Sequence, residues 1–422
     1  MSVGAAEDDP SRAWHWRHLL QAPHRLGFFL AMVVLLAAGF WWAAVQLQRS
    51  GAGPNLAYAV SPSLVHATVM TFGFMPLFFS GFLFTAGPKW MRVSGPSARR
   101  LAPVLLAQVA GWLLWLCGSH VHAAFAATGL SLAIMGLGGM TTMFWRLIAA
   151  SREEDLLHAR TVGAAHVVGC LCLIGIGASL LTGAETAARL FALTGLWGFI
   201  VVVFVAVAHR MIPFFSAPPM ATVQAWRPAS VLALLLAAAA FEASAGWLDA
   251  ALPGVAAWQI ARGVLELAAG GVLVWLAVLW GLFKSLRIRL LAMLHLGFLW
   301  LGLGLALSGA SQLLGWASSS VVLPLAALHA ITMGALGSLM LAMVTRVSCG
   351  HAGRSVVADD LVWGLFWLLQ VATLLRMAAT VPGWPVQPLF TATALLWAGV
   401  MLIWGLRYGS WYGRPRDDGR PG

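Results

Sequence analysis

Twelve apolar runs, each long enough to cross a lipid bilayer, dominate this sequence. The hydrocarbon core of a bilayer is about 30 Å thick, so a spanning helix needs roughly 20 mostly apolar residues. The runs lie at about 27–47, 64–86, 101–118, 123–145, 162–182, 190–208, 229–248, 259–283, 290–315, 321–345, 361–381 and 387–407. Hydrophobic residues make up 60% of the chain and charged residues only 9%, which excludes an ordinary soluble domain. We therefore predict an all-α, polytopic membrane protein with about twelve transmembrane helices.

The positions of the basic residues predict the orientation of the chain. All but four of the 25 Lys and Arg residues fall on one side, the side that also holds both termini. The four exceptions are Arg49, Arg189, Arg262 and Arg376. Because Lys and Arg accumulate in cytoplasmic loops, we predict a cytoplasmic tail at 1–26, a membrane domain at 27–407 and a cytoplasmic tail at 408–422. The net charge of +11 thus comes from basic residues at the cytoplasmic ends of the membrane spans. The expected partner is therefore the lipid bilayer rather than nucleic acid.

Acidic residues are rare inside the runs, where only Glu242 and Glu266 lie well away from the ends. Arg262 precedes Glu266 by four residues, so we expect the two to share a helix face and neutralise each other. Two carboxylates near the outer half make a poor proton relay, which weakens a transporter interpretation. The sequence contains no phosphate-binding loop, no nucleophile motif and no extramembrane stretch long enough for a catalytic domain. No catalytic residue is identified, and we expect any function to lie within the bilayer.

Two histidines on the outer side are the main candidates for cofactor binding. Counted at 1.5 Å per residue from the outer edge near Val321, His329 lies roughly 12 Å deep and His66 roughly 5 Å deep. A buried imidazole needs a hydrogen-bond partner or a metal. At these compatible depths one cofactor could bridge His66 and His329, although packing histidines bonded to carbonyl or hydroxyl groups remain the alternative. The Phe-rich stretch TFGFMPLFFSGFLF after His66 would fit a flat macrocycle, or would simply pack against other helices.

Three further histidines lie at the cytoplasmic ends of the runs. Imidazole suits copper and iron, so we predict a site for one of these metals formed by His209, His295 and His351. Arg346 and Arg354 flank the sharp turn around His351 and could bind haem propionates, a phosphate or lipid headgroups.

The other noteworthy histidines have simpler expected roles. His120 and His122 form an H-x-H pair in the tight turn between the third and fourth runs, a pattern that binds copper or stays solvated. His24, where the chain enters the membrane, is expected at the level of the lipid headgroups.

Four segments carry a resemblance to a known family. They are HATVMTFGFMPLFFSGFLFTAGPKW from His66, HRMIPFF from His209, LLAMLHLGFLWLGLGLAL around His295 and HAITMGALGSLMLAMVTRVSCGHAGR from His329. Together they resemble the NnrS family of bacterial inner-membrane proteins. The resemblance implies a twelve-helix protein that contains haem and copper and takes part in the bacterial response to nitric oxide. It also implies nitric oxide and a respiratory electron donor as partners.

With haem as the implied cofactor, we predict that His66 and His329 bind one haem iron, or that His329 binds it alone with His66 close by. The site of His209, His295 and His351 would then hold copper or a second haem.

The sequence departs from the family pattern at the start of the second run. The family commonly has H-A-H-E-M there, whereas this chain has His66-Ala67-Thr68-Val69-Met70. A metal site that needed the second histidine would be lost, but a haem with one ligand from each of two helices would remain. Two other functional classes stay open: a small-solute or metal transporter with a histidine translocation site, and an assembly partner of a respiratory complex.

Overall fold

The chain folds into a bundle of long helices. The computed structural model describes residues 13–216, 226–318 and 323–419, and within them twelve helices are long and apolar enough to cross a membrane, with no β-strand. They are α1 Pro23–Arg49, α2 Pro62–Trp90, α3 Ala98–Val121, α4 Ala123–Ala150, α5 Leu157–Leu181, α6 Glu185–Ser216, α7 Ala229–Ala251, α8 Ala256–Leu279, α9 Arg289–Ala317, α10 Leu325–His351, α11 Asp360–Ala378 and α12 Val386–Tyr412. The predicted fold class, all-α and polytopic with twelve spans, is confirmed.

The helices extend beyond the apolar runs at several ends. A short 3-10 helix at Trp16–Gln21 precedes α1, which begins at Pro23 because proline is well accommodated in the first turn of a helix. At the other terminus α12 continues to Tyr412. Residues 1–12 and 420–422 of the predicted tails, and the residues around Val321 from which depth was counted, lie outside the described part of the chain.

Helices α2 and α10 lie at the centre of the bundle. Within the most apolar stretch of each described helix, 83% of the residues of α2 and 78% of those of α10 are buried, against 33% in α7 and in α8. His66 belongs to α2 and His329 to α10. Both candidate haem ligands are therefore on the two helices most enclosed by protein.

The two central helices are also irregular. In α2 the helix breaks at Gly73 and Phe74 and starts again at Met75, next to Pro76, which has no N–H to continue the hydrogen-bond ladder. In α10 a π-helical segment, Ala330–Gly337, follows directly after His329. Such segments are rare in helices and are often found at functional sites.

Glycines let several helix pairs approach backbone to backbone. A Cβ atom added to Gly111 of α3 would lie 2.5 Å from the backbone nitrogen of Ala133 in α4. In the α8–α9 pair, Gly270 lies in the same way against the backbone of Gly302 and Ala306. Close approach of this kind allows tight van der Waals packing, which drives helix association in lipid.

The phenylalanines of α2 pack into the protein core. Phe78 contacts Phe28 and Trp404, with ring centroids 5.8 and 6.0 Å away. Phe84 packs edge-on against Phe144, 6.1 Å away. These contacts with α1, α4 and α12 agree with the packing interpretation of the Phe-rich stretch.

Candidate functional site

His66 lies in the first turns of α2 and stacks on a tryptophan from the end of α1. The ring centroids of His66 and Trp42 are 3.9 Å apart and the ring planes meet at 22°. The Nδ1 atom of His66 is buried and has no hydrogen-bond partner among the described residues. The stack fixes the orientation of the imidazole and leaves this nitrogen free to bind a ligand.

His329 is held by its own helix. Its Nδ1 atom lies 2.7 Å from the carbonyl oxygen of Leu325, one turn earlier. Because a carbonyl only accepts, Nδ1 carries the proton and donates it, so the lone pair of the neutral ring is on Nε2. Metal-binding histidines typically donate their second nitrogen to a carbonyl in this way, which fixes the tautomer.

The two imidazoles are near enough to influence each other electrostatically, and the guanidinium of Arg376 in α11 influences both rings. Arg376 lies over the ring of Phe390, 4.3 Å from its centroid, and its Nη1 atom is buried without a partner in the described part of the chain.

A second arginine, Arg49, is also near His66. Its guanidinium lies 5.4 Å from the centroid of Trp42, and its positive charge influences the His66 ring electrostatically. We call His66, His329, Trp42, Arg376 and Arg49 the outer cluster.

From the sequence, Arg49 and Arg376 contributed only to the predicted orientation of the chain. Arg376 could also have been recognised as a site residue, since it lies within the apolar run 361–381, where an arginine is costly unless it has a role. Local sequence did not reveal that the helix turns this arginine toward the two histidines.

The arginines predicted to hold propionates lie elsewhere. Arg346 is 17 residues after His329 on α10, which corresponds to about 25 Å along a helix. Its guanidinium lies 3.8 Å from the ring centroid of Phe215. Arg354 stacks on Trp411, 4.2 Å away, and pairs with Asp417 at 2.9 Å.

The three histidines predicted to share a copper site have separate neighbours. The Nδ1 atom of His209 lies 3.1 Å from Nε2 of His158, and Nε2 of His295 lies 2.9 Å from the hydroxyl of Ser216. His351 instead contacts His24. No group of three or more His, Cys, Asp or Glu side chains that could hold a metal ion occurs in residues 13–216, 226–318 and 323–419.

The contact between His351 and His24 was not predicted. Their ring centroids are 4.1 Å apart, with an interplanar angle of 35°. Only 3% of His24 is exposed, and its Nδ1 atom is buried with no partner in the described chain. The His24 ring is therefore enclosed by other residues of the protein. Next to it, the guanidinium of Arg25 donates to the carbonyl oxygens of Tyr412 and Arg414 at 3.2 and 2.6 Å, which ties α1 to the end of α12.

His166 is a second buried histidine that sequence reasoning passed over. Its Nδ1 atom lies 2.7 Å from the carbonyl oxygen of Val162, and its Nε2 atom is buried with no partner in the described residues. The rings of Phe79, Phe144 and Phe199 surround it, the last at 4.8 Å. The ring is thus a single imidazole with a free nitrogen in an aromatic enclosure.

Both histidines of the H-x-H pair, His120 and His122, form hydrogen bonds within the protein. Nδ1 of His120 lies 2.7 Å from the carbonyl oxygen of Ala57, and the indole N–H of Trp41 donates to Nε2 at 2.7 Å. His122 accepts from the backbone N–H of Ala124 and caps the start of α4. With both nitrogens of His120 in use, the pair has a structural role in the turn.

The family model described as NnrS protein matches residues 18–416, nearly the whole chain. No curated protein matches the chain.

Proposed function

Because the chain belongs to the NnrS family, we propose that this multi-pass membrane protein binds haem and copper and serves in the response to nitric oxide and in protection from it. We further propose that it lies in the bacterial inner membrane with both termini in the cytoplasm. The cofactors and the link to nitric oxide are those that the family resemblance implies. The orientation is supported by the distribution of basic residues, of which only four fall on the opposite side.

The observation that carries the haem proposal is the outer cluster. His66 and His329 are on the two most enclosed helices of the described bundle, and each offers a ring nitrogen, since Nδ1 of His66 has no hydrogen-bond partner among the described residues and Nε2 of His329 carries the lone pair. Haem iron is commonly bound by imidazole nitrogens from the protein. The buried, unpartnered Nδ1 of His66 is costly without a ligand, which supports the fit of a metal-containing group at this position.

Within this proposal the residues of the outer cluster have distinct roles. His66 Nδ1 and His329 Nε2 would hold the iron, and Trp42 keeps the His66 ring in place. Arg376 and Arg49 supply the positive charge that haem propionates require, in place of Arg346 and Arg354. A bound haem would supply an iron centre able to bind nitric oxide or to transfer an electron.

We assign copper to the end of the bundle where the start of α1 meets the end of α12. Of the three histidines predicted as ligands, His351 is the one whose ring lies against another imidazole, that of His24. Imidazole is a favourable copper ligand. We therefore propose the pair His24 and His351 as the copper-binding residues, with His209 and His295 held by their own hydrogen bonds.

The absorption spectrum of purified protein tests the haem assignment. We expect His66→Ala and His329→Ala each to remove or shift the bands of the reduced-minus-oxidised spectrum, normalised to protein. His122→Ala, at an exposed position, serves as the control. A packing histidine would instead cost about 1–3 kcal/mol of stability without changing the spectrum. If both variants keep full haem content and unshifted bands, the assignment is wrong, and His166, with its buried free nitrogen, becomes the next candidate.

A further inference from the structure

A cluster of four charged residues joins α7 and α8 at the end of the bundle that also holds His66. Arg262 is at its centre, and its Nε atom donates to Oε1 of Glu266 at 2.7 Å. Its Nη1 atom pairs with Asp249, and its Nη2 atom lies 3.9 Å from Oε2 of Glu242. All three guanidinium nitrogens are thus directed at carboxylates. The predicted pairing of Arg262 with Glu266 is present, but two further acids share the same arginine.

The two glutamates are buried to an extent that is unusual for acids. Only 1% of Glu266 and 8% of Glu242 are exposed. One oxygen of each, Oε2 of Glu266 and Oε1 of Glu242, is buried and has no hydrogen-bond donor among the described residues. A buried ionised carboxylate with a bare oxygen carries a large desolvation cost.

The charges of the cluster do not balance when all four groups are ionised. Three carboxylates around one guanidinium leave an excess of negative charge inside the membrane domain. Asp249 is the exposed member, with 43% of its side chain accessible and an indole N–H from Trp258 donating to it at 2.8 Å. It can stay ionised at the surface. The excess charge therefore falls on Glu242 and Glu266.

Arg262 brings the two glutamate side chains together, because its Nε atom donates to Glu266 and its Nη2 atom lies 3.9 Å from Glu242. Ionised carboxylates only accept hydrogen bonds, so neither glutamate can donate to the bare oxygen of the other unless one of them carries a proton. A single proton supplies the missing donor and removes one of the two excess charges. Buried pairs of carboxylates that share a site commonly retain one proton in this way.

We infer that Glu242 and Glu266 form a proton-binding site in which one proton is shared between the two carboxyl groups. The proton comes from water at the surface next to Asp249, and binding it converts two carboxylates into a carboxyl–carboxylate pair. A metal cation is disfavoured at the same place because the guanidinium of Arg262, which lies among the three carboxylates, repels it. The site does not depend on the haem proposal, since none of its residues belongs to the outer cluster.

Two contacts connect the helix of Glu242 with the helix of His66 through α6. The indole N–H of Trp247 on α7 donates to Thr194 of α6 at 2.8 Å, and the Arg189 guanidinium of α6 donates to Ser63 of α2 at 2.7 Å. Ser63 is in the same turn as His66. Helix α6 therefore joins α7, which carries Glu242, to the start of α2.

Infrared spectroscopy of the protein in lipid tests the inference directly. We expect wild-type protein at neutral pH to have a carbonyl stretching band of a protonated carboxylic acid, and this band to shift in heavy water. Glu242→Gln and Glu266→Gln should each remove the band, because the amide donates to the remaining carboxylate and takes the place of the proton. Glu185→Gln is the matched control, since Glu185 is exposed and paired with Arg189.

Three results would overturn the inference. One is the absence of any protonated carboxyl band in wild-type protein at neutral pH, an observation that needs no variant to fold. The second is a band that persists in both Glu→Gln variants. The third is a band whose intensity falls when sodium replaces potassium in the buffer, which would identify a metal cation as the occupant.

Discussion

The imidazole rings of His24 and His351 lie against each other, 4.1 Å apart between centroids, at the end of the bundle where both described termini meet. His24 is in the first turn of α1 and His351 is the last residue of α10. The pair is unusual because His24 is almost completely buried and retains a ring nitrogen that no described residue contacts. Copper analysis is the direct way to examine it.

For copper, we predict that His24→Ala and His351→Ala each lose most of the copper found in wild-type protein, because each removes one of two imidazole ligands. The measurement is the molar ratio of copper to protein after purification. His295→Ala is the control, since its Nε2 atom is engaged by Ser216. If His295→Ala loses copper while His24→Ala retains it, the sequence-based set of His209, His295 and His351 is the better assignment.

Replacing Arg376 by Met should lower the reduction potential of the haem and weaken haem retention. The Nη1 atom of Arg376 is buried, and in the proposed site the positive charge would favour the reduced iron and would bind a propionate. A redox titration followed by absorbance measures the shift. Arg346→Met, at the opposite end of α10, should leave the potential unchanged. An equal shift in both variants would contradict a local role for Arg376.

Two adjacent glycines of α8 should respond very differently to alanine. A Cβ atom at Gly270 meets the backbone of α9, whereas nothing lies within 4 Å of one at Gly271. We expect Gly270→Ala to destabilise the protein by about 1–3 kcal/mol because the helices must move apart. Gly271→Ala should be neutral or slightly stabilising because alanine favours the helix. Thermal unfolding in detergent compares the two, and equal melting temperatures would disprove the close contact of α8 with α9.

We predict that both termini and the loops at 87–100, 146–161 and 346–360 face the cytoplasm. An even number of spans returns the chain to its starting side, and the basic residues cluster on that side. Fusions of a reporter that is active only in the cytoplasm should be active at these positions. A C-terminus found in the periplasm would overturn the number of spans.

Cells that lack this protein should grow more slowly under nitric oxide while growing normally without it. The expectation follows from the family to which the chain belongs. Growth curves over a range of doses of a nitric oxide donor provide the measurement, with the deletion complemented by wild-type protein and by His329→Ala. Equal growth of mutant and parent at every dose would favour the transporter class instead.

The twelve-helix bundle could be predicted from the sequence because the existence of each spanning helix depends only on the length and composition of its own apolar run. The length of an apolar run decides whether a helix spans a bilayer, and the sidedness of Lys and Arg predicts the orientation. The pairing of Arg262 with Glu266 was also predictable, since residues four apart share a helix face. The assignment of His66 to the second span and of His329 to the tenth also followed from the apolar runs.

The tertiary structure decided which side chains meet. Depth placed His209, His295 and His351 at one end, but the rotation of each helix gave each histidine a different neighbour and brought His24 to His351. In the same way it turned Arg376 toward the outer histidines and Glu242 toward Glu266. The physical reason is that residue spacing gives position along one helix, whereas contacts between helices depend on the packing of all the helices together.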